Sequence, residues 1–382
     1  MKKTRSFLLV IALAFSFAAC TERPAEVVDT AAPEVTNTPA PTPTPTPEAT
    51  PEVTPTPTPE ATPEVTPAPP VETEPLYRDL FTGEGRETPN TARPFAVMIN
   101  DLKEAMPQRG VASADIIYEI LAEGGVTRMM AIFSEPEKMT DDIGPIRSIR
   151  PYYVDVAMAF GAVAVHAGYS EAAINRISAY SVAHIDGINS YANDYFYRDQ
   201  QRRYDGYAYE HTLFSTGEDL YNCAKARNLT LTIADDYDNG LRFAADGTPA
   251  NGKDAETVSI KFSNYKQTKL TYNKETGKYD GFQHGGDFID ENTDEVVSFT
   301  NAIIIYARTS VVDSAGRLSV TLTGSGSGYY VCGGKYTEIN WSRAKESDCF
   351  TYTLADGTPL EIGRGNTYIA VLPTSGSELV IE

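Results

Sequence analysis

The chain of 382 residues carries 32 Lys and Arg against 52 Asp and Glu, a formal charge of −20. That balance excludes nucleic acid as a partner and argues against general adhesion to anionic lipid or teichoic-acid polymers, while leaving room for a local basic pocket. Three of the four cysteines lie beyond residue 20, an odd number that makes no disulfide framework.

The first twenty residues read as an address. Lys2, Lys3 and Arg5 precede an apolar run from Phe7 to Phe17, too short for a stop-transfer helix and suited to a signal-peptide core. The run ends in Phe17-Ala18-Ala19-Cys20, which resembles the lipobox of bacterial lipoproteins, with Phe17 where leucine is usual. Lipidation is therefore expected at Cys20, and the membrane is a partner through that anchor. The expected location is the outer face of the cytoplasmic membrane. Removing residues 1–20 takes away three basic side chains and no acidic ones, leaving −23.

Residues 21–75 hold sixteen prolines, and Pro43 to Thr54 is repeated letter for letter by Pro55 to Thr66. Proline fixes φ and lacks a backbone donor, and the few valines cannot offset ordering entropy, so a disordered linker is expected. At the polyproline rise it reaches roughly 170 Å when fully extended, which suits a spacer.

From residue 76 to about 238 the pattern mixes helix and strand. Phe95 to Ile99 reads as a buried strand. Asp115 to Leu121 and Val126 to Phe133 read as two strands around Glu123-Gly124-Gly125. Pro151 opens a helix through Phe160, Ala162 to Ala167 is a short strand, Ser170 caps a helix over 171–178, and a further helix runs over 218–227. From about 239 onward strands dominate, at 257–262, 299–307, 318–323, 329–332, 336–341, 350–354 and 367–372. The fold class expected is α+β: an N-terminal mixed α/β domain over 76–238, followed by a mainly antiparallel β domain over 239–382. The glycines at 324, 326 and 328 read as turn residues. Cys332 and Cys349 could pair, since sequence does not fix their separation.

The most suggestive constellation is Gly144 to Tyr153. Arg150 precedes a proline and so sits at a helix N-cap in extended conformation, with Arg147 and Ser148 close by. Guanidinium groups beside free helix N–H groups suit a carboxylate or phosphate. Arg128 and Arg198 are candidates to join them, with Glu119, Glu123, His166 and His211 as further candidates to line the site. The competing reading is that these arginines pair with Glu119, Glu123 or Asp141 and staple the domain. A catalytic alternative rests on Gly168-Tyr169-Ser170-Glu171-Ala172, which follows a strand and opens a helix as a nucleophile elbow does. Ser170, His166 and His211 would then be the catalytic candidates of a cell-envelope hydrolase or transferase, with arginines as charge stabilisers. Against it, Ala172 replaces the last glycine of that pattern, and Ser170 is sufficient as a cap. No cofactor and no metal site is expected from the histidine and cysteine spacing.

Several of these segments also resemble the YerB-like family of bacterial lipoproteins, a two-part domain of unknown function. The resemblance runs from Arg93 to about Pro373. It is carried by Arg93-Pro94-Phe95-Ala96-Val97-Met98-Ile99-Asn100, Ala114-Asp115-Ile116-Ile117-Tyr118-Glu119, Glu123 to Arg128, Gly144 to Tyr152, His166-Ala167-Gly168 and Phe196 to Asp199. Trp341-Ser342-Arg343 and the Gly365 to Pro373 strand continue it. The chain departs from the family at Glu210-His211-Thr212, where Pro-His-Asn is common. It departs again at Gly281 and Phe288, where an arginine and a histidine are usual. The family carries no established activity, so the resemblance implies an exported lipoprotein without naming a reaction. The residues favour a non-enzymatic binding or scaffold module whose partner is a cell-wall polymer, a peptide or another protein.

Overall fold

Strand β1 (Phe95–Asn100) starts directly after Pro94, and all six of its residues are buried. The computed structural model describes residues 75–382; the signal segment, Cys20 and the proline-rich linker through residue 74 lie outside the described residues. Phe95, Val97 and Ile99 join one core cluster while Ala96 and Met98 join the other, as the period of two in a doubly covered strand requires. Strands β2 (Ile116–Leu121) and β3 (Thr127–Phe133) form the expected antiparallel hairpin, and β3 pairs with β1 on its far side. The hairpin turn needs glycine: Gly124 and Gly125 have φ of 75° and 77°.

Helix α1 (Pro151–Ala159) opens on its proline, with Arg150 extended at the N-cap. Next come β4 (Val163–His166), α2 (Glu171–Tyr180) and β5 (His184–Asp186), and β1, β4 and β5 run parallel. Helix α3 (Gly217–Ala226) closes this half, capped by Thr216. The second half supplies β6 (Thr257–Lys261), β7 (Gln267–Asn273) and β8 (Lys278–Gln283), an antiparallel meander that lays down the centre of a six-stranded sheet. It continues with β9 (Asn301–Ala307), β10 (Gly324–Cys332), β11 (Lys335–Arg343), β12 (Thr351–Leu354), β13 (Thr367–Pro373) and β14 (Glu378–Ile381).

The expected α+β class holds, but the boundary near residue 238 does not separate two cores. Strand β13 lies between β9 and β2, parallel to both, so one eleven-stranded sheet runs through both halves. The described residues 75–382 accordingly belong to one compact unit. The reason is the apolarity of β2, whose edge beyond β3 would expose a strand buried on both faces if β13 were not there. On one face of the sheet Ala96, Tyr118 and Ile369 pack with α1. On the other, Ile117, Ala370 and Leu372 pack with Leu220 of α3 and with Val258, Ile260 and Leu270 of the smaller sheet.

Two smaller expectations need correction. Gly324, Gly326 and Gly328 lie within β10 rather than in turns. A Cβ on Gly326 would meet the Trp341 indole at 2.5 Å, and one on Gly328 the Ile304 carbonyl at 2.4 Å. Cys332 and Cys349 do not pair; both are free.

Candidate functional site

Three of the four arginines singled out in the sequence, Arg128, Arg147 and Arg150, are drawn to acids of the same chain. Arg150 forms a fork on Glu123, Nε to Oε1 and Nη2 to Oε2 at 3.1 Å, and its Nη1 donates to the Ile149 carbonyl. Arg128 reaches the same carboxylate at 3.5 Å and donates to the Ser148 carbonyl. Burial works to raise the Glu123 carboxyl, but the Arg150 hydrogen bonds and the charges of Arg150 and Arg128 hold it below its ordinary value. Burial, and then the charge of Arg150, push the Arg128 guanidinium down to about 10. Arg147 pairs with the half-exposed Glu210 at 3.1 Å, and the Ser148 hydroxyl donates to the Ala167 carbonyl. Arg198 lies over the Tyr209 ring at 3.9 Å and donates to the Tyr209 carbonyl. Of the two readings left open, the staple is the geometry present at Glu123.

The catalytic candidates are not brought together. The Ser170 hydroxyl accepts from Ala173 N at 3.3 Å, as a cap. His166 is buried and bonds edge to edge with His184, Nε2 to Nδ1 at 3.0 Å. Burial pushes His166 down to about 4, against the pull of Asp186 3.7 Å away. His211 faces elsewhere, its Nδ1 2.8 Å from Asn100 Nδ2. Among the described residues neither histidine bonds to Ser170.

A different cluster, not foreseen, lies where the two halves meet. Glu119 is on the face of β2 that looks toward the smaller sheet, alongside Ile117. Tyr368 of β13 donates to its Oε2 at 2.6 Å and Thr268 of β7 at 2.9 Å, while the Thr127 hydroxyl lies 2.8 Å from its Oε1. The same hydroxyl is 2.5 Å from Asp101 Oδ2, just past the end of β1. Between the two carboxyls sits Lys266, its Nζ 2.8 Å from Asp101 Oδ2 and 3.4 Å from Glu119 Oε1. The side chains of Asp101 and Glu119 are 0 % exposed and that of Lys266 1 %, so the charges face no bulk water. Lys266 Nζ also donates to Gln283 Oε1 and lies 3.4 Å from His284 Nε2.

Electrostatics differentiates the two acids. Burial opposes ionisation of Asp101, yet the Lys266 charge and His284 hold it at about 2. Burial raises Glu119, the Lys266 charge opposes that rise, and ionised Asp101 reinforces it. Burial would lower Lys266, and the two acids more than reverse this. The arrangement is an ionised aspartate, an ammonium and a carboxyl biased toward its neutral form.

Above this floor opens a cleft of about 400 Å³ lined by Lys261, Lys266, Lys269, His284, Tyr265 and Phe282 among others, with no aspartate or glutamate in its lining. The β6–β7 turn that forms its rim is pinned by Ser263, whose hydroxyl donates to the Gly125 carbonyl at 2.5 Å and accepts from Tyr265 N and Lys266 N. Lys269 Nζ stands over the Phe282 ring at 5.0 Å and has no acidic partner among the described residues. Lys261 meets Glu378 at 3.6 Å where both are well exposed, an interaction worth little.

A mixed sheet with α1 and α2 on one face and α3 with a smaller antiparallel sheet on the other, locked by a buried lysine–carboxylate cluster, defines a two-part α+β protein. Residues 81–232 match the N-terminal domain, and residues 258–369 the C-terminal domain, of a protein family of unknown function, DUF3048. The chain belongs to this YerB-like family. It is 28 % identical over 285 residues to "Putative lipoprotein YerB" of Bacillus subtilis (strain 168), covering 74 % of this chain and 81 % of that protein. The crystal structure of the YerB protein from Bacillus subtilis shares the fold, with a TM-score of 0.69 at 24 % identity, covering 80 % of this chain and 99 % of that one.

Proposed function

We propose that this protein is a lipoprotein anchored through Cys20 at the cell envelope, and that its folded part is a non-enzymatic binding module for a single carboxylate or phosphate group. The Phe17-Ala18-Ala19-Cys20 segment and the lipoprotein name of the Bacillus relative support the anchor. The binding reading rests on one observation: in a chain of charge −20, the cleft at the β6–β7 turn gathers three lysines and His284 without an acid in its lining. That site replaces the arginine-lined one expected from sequence, because Arg128 and Arg150 already share Glu123. Lys266 and the Nε2 edge of His284 are committed to Asp101, which leaves Lys261 and Lys269 to face a ligand, with Tyr265 exposed at the rim as an apolar body with a polar tip. The acidic body repels a long polyanion, so the group recognised is a local one at the end of envelope material or on a partner protein.

Titration with glycerol 3-phosphate and with muramyl dipeptide, followed by NMR at low salt, tests this reading. Binding of either is expected to weaken about tenfold in Lys269→Glu, on the scale of 1.4 kcal/mol, and to be unchanged in Arg150→Lys. Absence of binding by both probes, or binding indifferent to Lys269→Glu, defeats it.

A further inference from the structure

Lys266, Asp101 and Glu119 stand in an arrangement that a simple buried ion pair does not require. One amine meets two carboxyls, all three groups are closed to water, and each carboxyl is fixed by further bonds. Gln108 Nε2 donates to the Asn100 carbonyl at 3.0 Å and lies 3.4 Å from Asp101 Oδ1, steadying the segment that carries the aspartate. Tyr368, Thr268 and Thr127 fix Glu119 with its Oε1 turned toward the lysine. The Thr127 hydroxyl touches both carboxyls and so offers a proton path between them.

We propose that Lys266 and Asp101 condense into an isopeptide bond that the folded protein makes for itself, with Glu119 as the proton carrier. The ammonium of Lys266 first passes a proton to the Asp101 carboxylate at 2.8 Å, giving a neutral amine and a neutral acid. The charges that hold Asp101 at about 2 and raise Lys266 favour the ion pair, so this transfer is the uphill step, and the fixed contact between the reacting groups is what offsets it. The Nζ lone pair then attacks Cγ of Asp101 and a C–N bond forms. Glu119, in its protonated form, gives its proton to one Asp101 oxygen, whose bond to Cγ breaks and which leaves as water. The proton shed by Nζ returns to Glu119, which ends as it began. Lysine and aspartic acid become an amide plus one water, with no oxidant, reductant or cofactor. Fixing the reactants at contact supplies an effective concentration on the order of 10⁵–10⁸ M, which makes an otherwise negligible amide condensation accessible. The raised pKa of Glu119 agrees with its role as a proton donor.

The placement of the bond gives it a purpose. Asp101 follows β1 of the first half, and Lys266 leads into β7 of the second. A covalent tie between them closes a long loop across the seam of the molecule, in a chain whose described cysteines are all free. The inference does not depend on what the cleft binds.

Peptide mapping of the whole chain, unfolded in hot detergent and digested with trypsin, decides the matter. The expected product is a branched peptide joining the segment that ends at Lys103 to the segment 262–269, uncut at Lys266 and lighter than its two parts by one water. Lys266→Arg is expected to lack it and to migrate more slowly than the parent on a denaturing gel. Glu119→Gln, where it folds, is expected to give Lys266 cleavable and unlinked. Cleavage at Lys266 in the parent chain, releasing 87–103, 262–266 and 267–269 as separate linear peptides, or a link to Gln283 with loss of ammonia instead, overturns the proposal without reference to any variant. Persistence of the link in Glu119→Gln overturns the role given to Glu119.

Discussion

Asp155 lies in α1, 5 % exposed, with its carboxylate 2.9 Å from Arg176 of α2 and its carbonyl accepting from Arg343 of β11. Burial outweighs the opposing charges of Arg176 and Arg343 and pushes the group up to about 6 from an ordinary 3.8. A carboxyl raised on folding contributes its full stability below the unfolded value and loses that contribution as pH climbs through the folded one. Thermal unfolding at pH 5 and pH 7.5 should therefore show a larger loss in the parent than in Asp155→Asn, by about 1.4 kcal/mol; equal losses would refute the burial argument. The same contest between burial and charge explains which site residues were legible. Arg150 and Glu123 could be read from the Arg-Pro dipeptide and the glycine turn, and ion pairing was one of two readings the sequence left open. Lys266 could not. In Lys266-Gln267-Thr268-Lys269-Leu270 the inward residues are 266, 268 and 270, so a lysine occupies a core position and disguises the alternation. Glu119 did give a signal, a lone acid inside the fully buried Ile-Ile-Tyr-Glu-Ile run, but nothing in the sequence says which base 147 positions away in the chain would meet it.

Among the elements, β13 decides how the molecule holds together. All seven of its residues are buried, and it pairs with β9 on one side and β2 on the other. Burying a large apolar side chain contributes roughly 1.5–3 kcal/mol, and Tyr368, Ile369, Val371 and Leu372 supply four of them to the two core clusters. A chain ending at residue 238 would leave β2 as an apolar edge and Glu119 without Lys266, Thr268 and Tyr368. Such a fragment is expected to be insoluble or to lack a cooperative unfolding transition, whereas a truncation removing residues 1–74 keeps the transition of the parent. A folded 76–238 fragment would contradict the shared-sheet account. The sequence made most elements of both halves visible because their patterns are local: proline opens β1 and α1, serine caps α2, and apolar runs mark the central strands. It hid β7 and β8, whose solvent faces carry Lys269, Lys278 and Asp280 and whose strength comes from pairing across the meander. It also hid the insertion of β13 beside β2, since register between strands some 250 residues apart is set by the completed sheet.

For the molecule as a whole, charge and anchorage make one argument. The segment after residue 75 carries −14 and residues 21–75 carry −9, so both repel an anionic membrane surface. Net charge does not favour attachment of so acidic a chain, and the lipid proposed at Cys20 would supply it. A single acyl chain binds only marginally, at about 10⁴ M⁻¹, so stable retention through Cys20 calls for more than one chain there. Cys20→Ser is expected to shift the chain from the detergent phase to the aqueous phase on Triton X-114 partition and to release it from the membrane fraction. Cleft binding should survive that substitution, because residue 20 lies outside the unit that carries Lys261, Lys269 and His284. If Cys20→Ser stays with the membrane at high salt, an apolar attachment other than the lipid holds the chain, since charge repels it and salt removes what attraction local lysines provide.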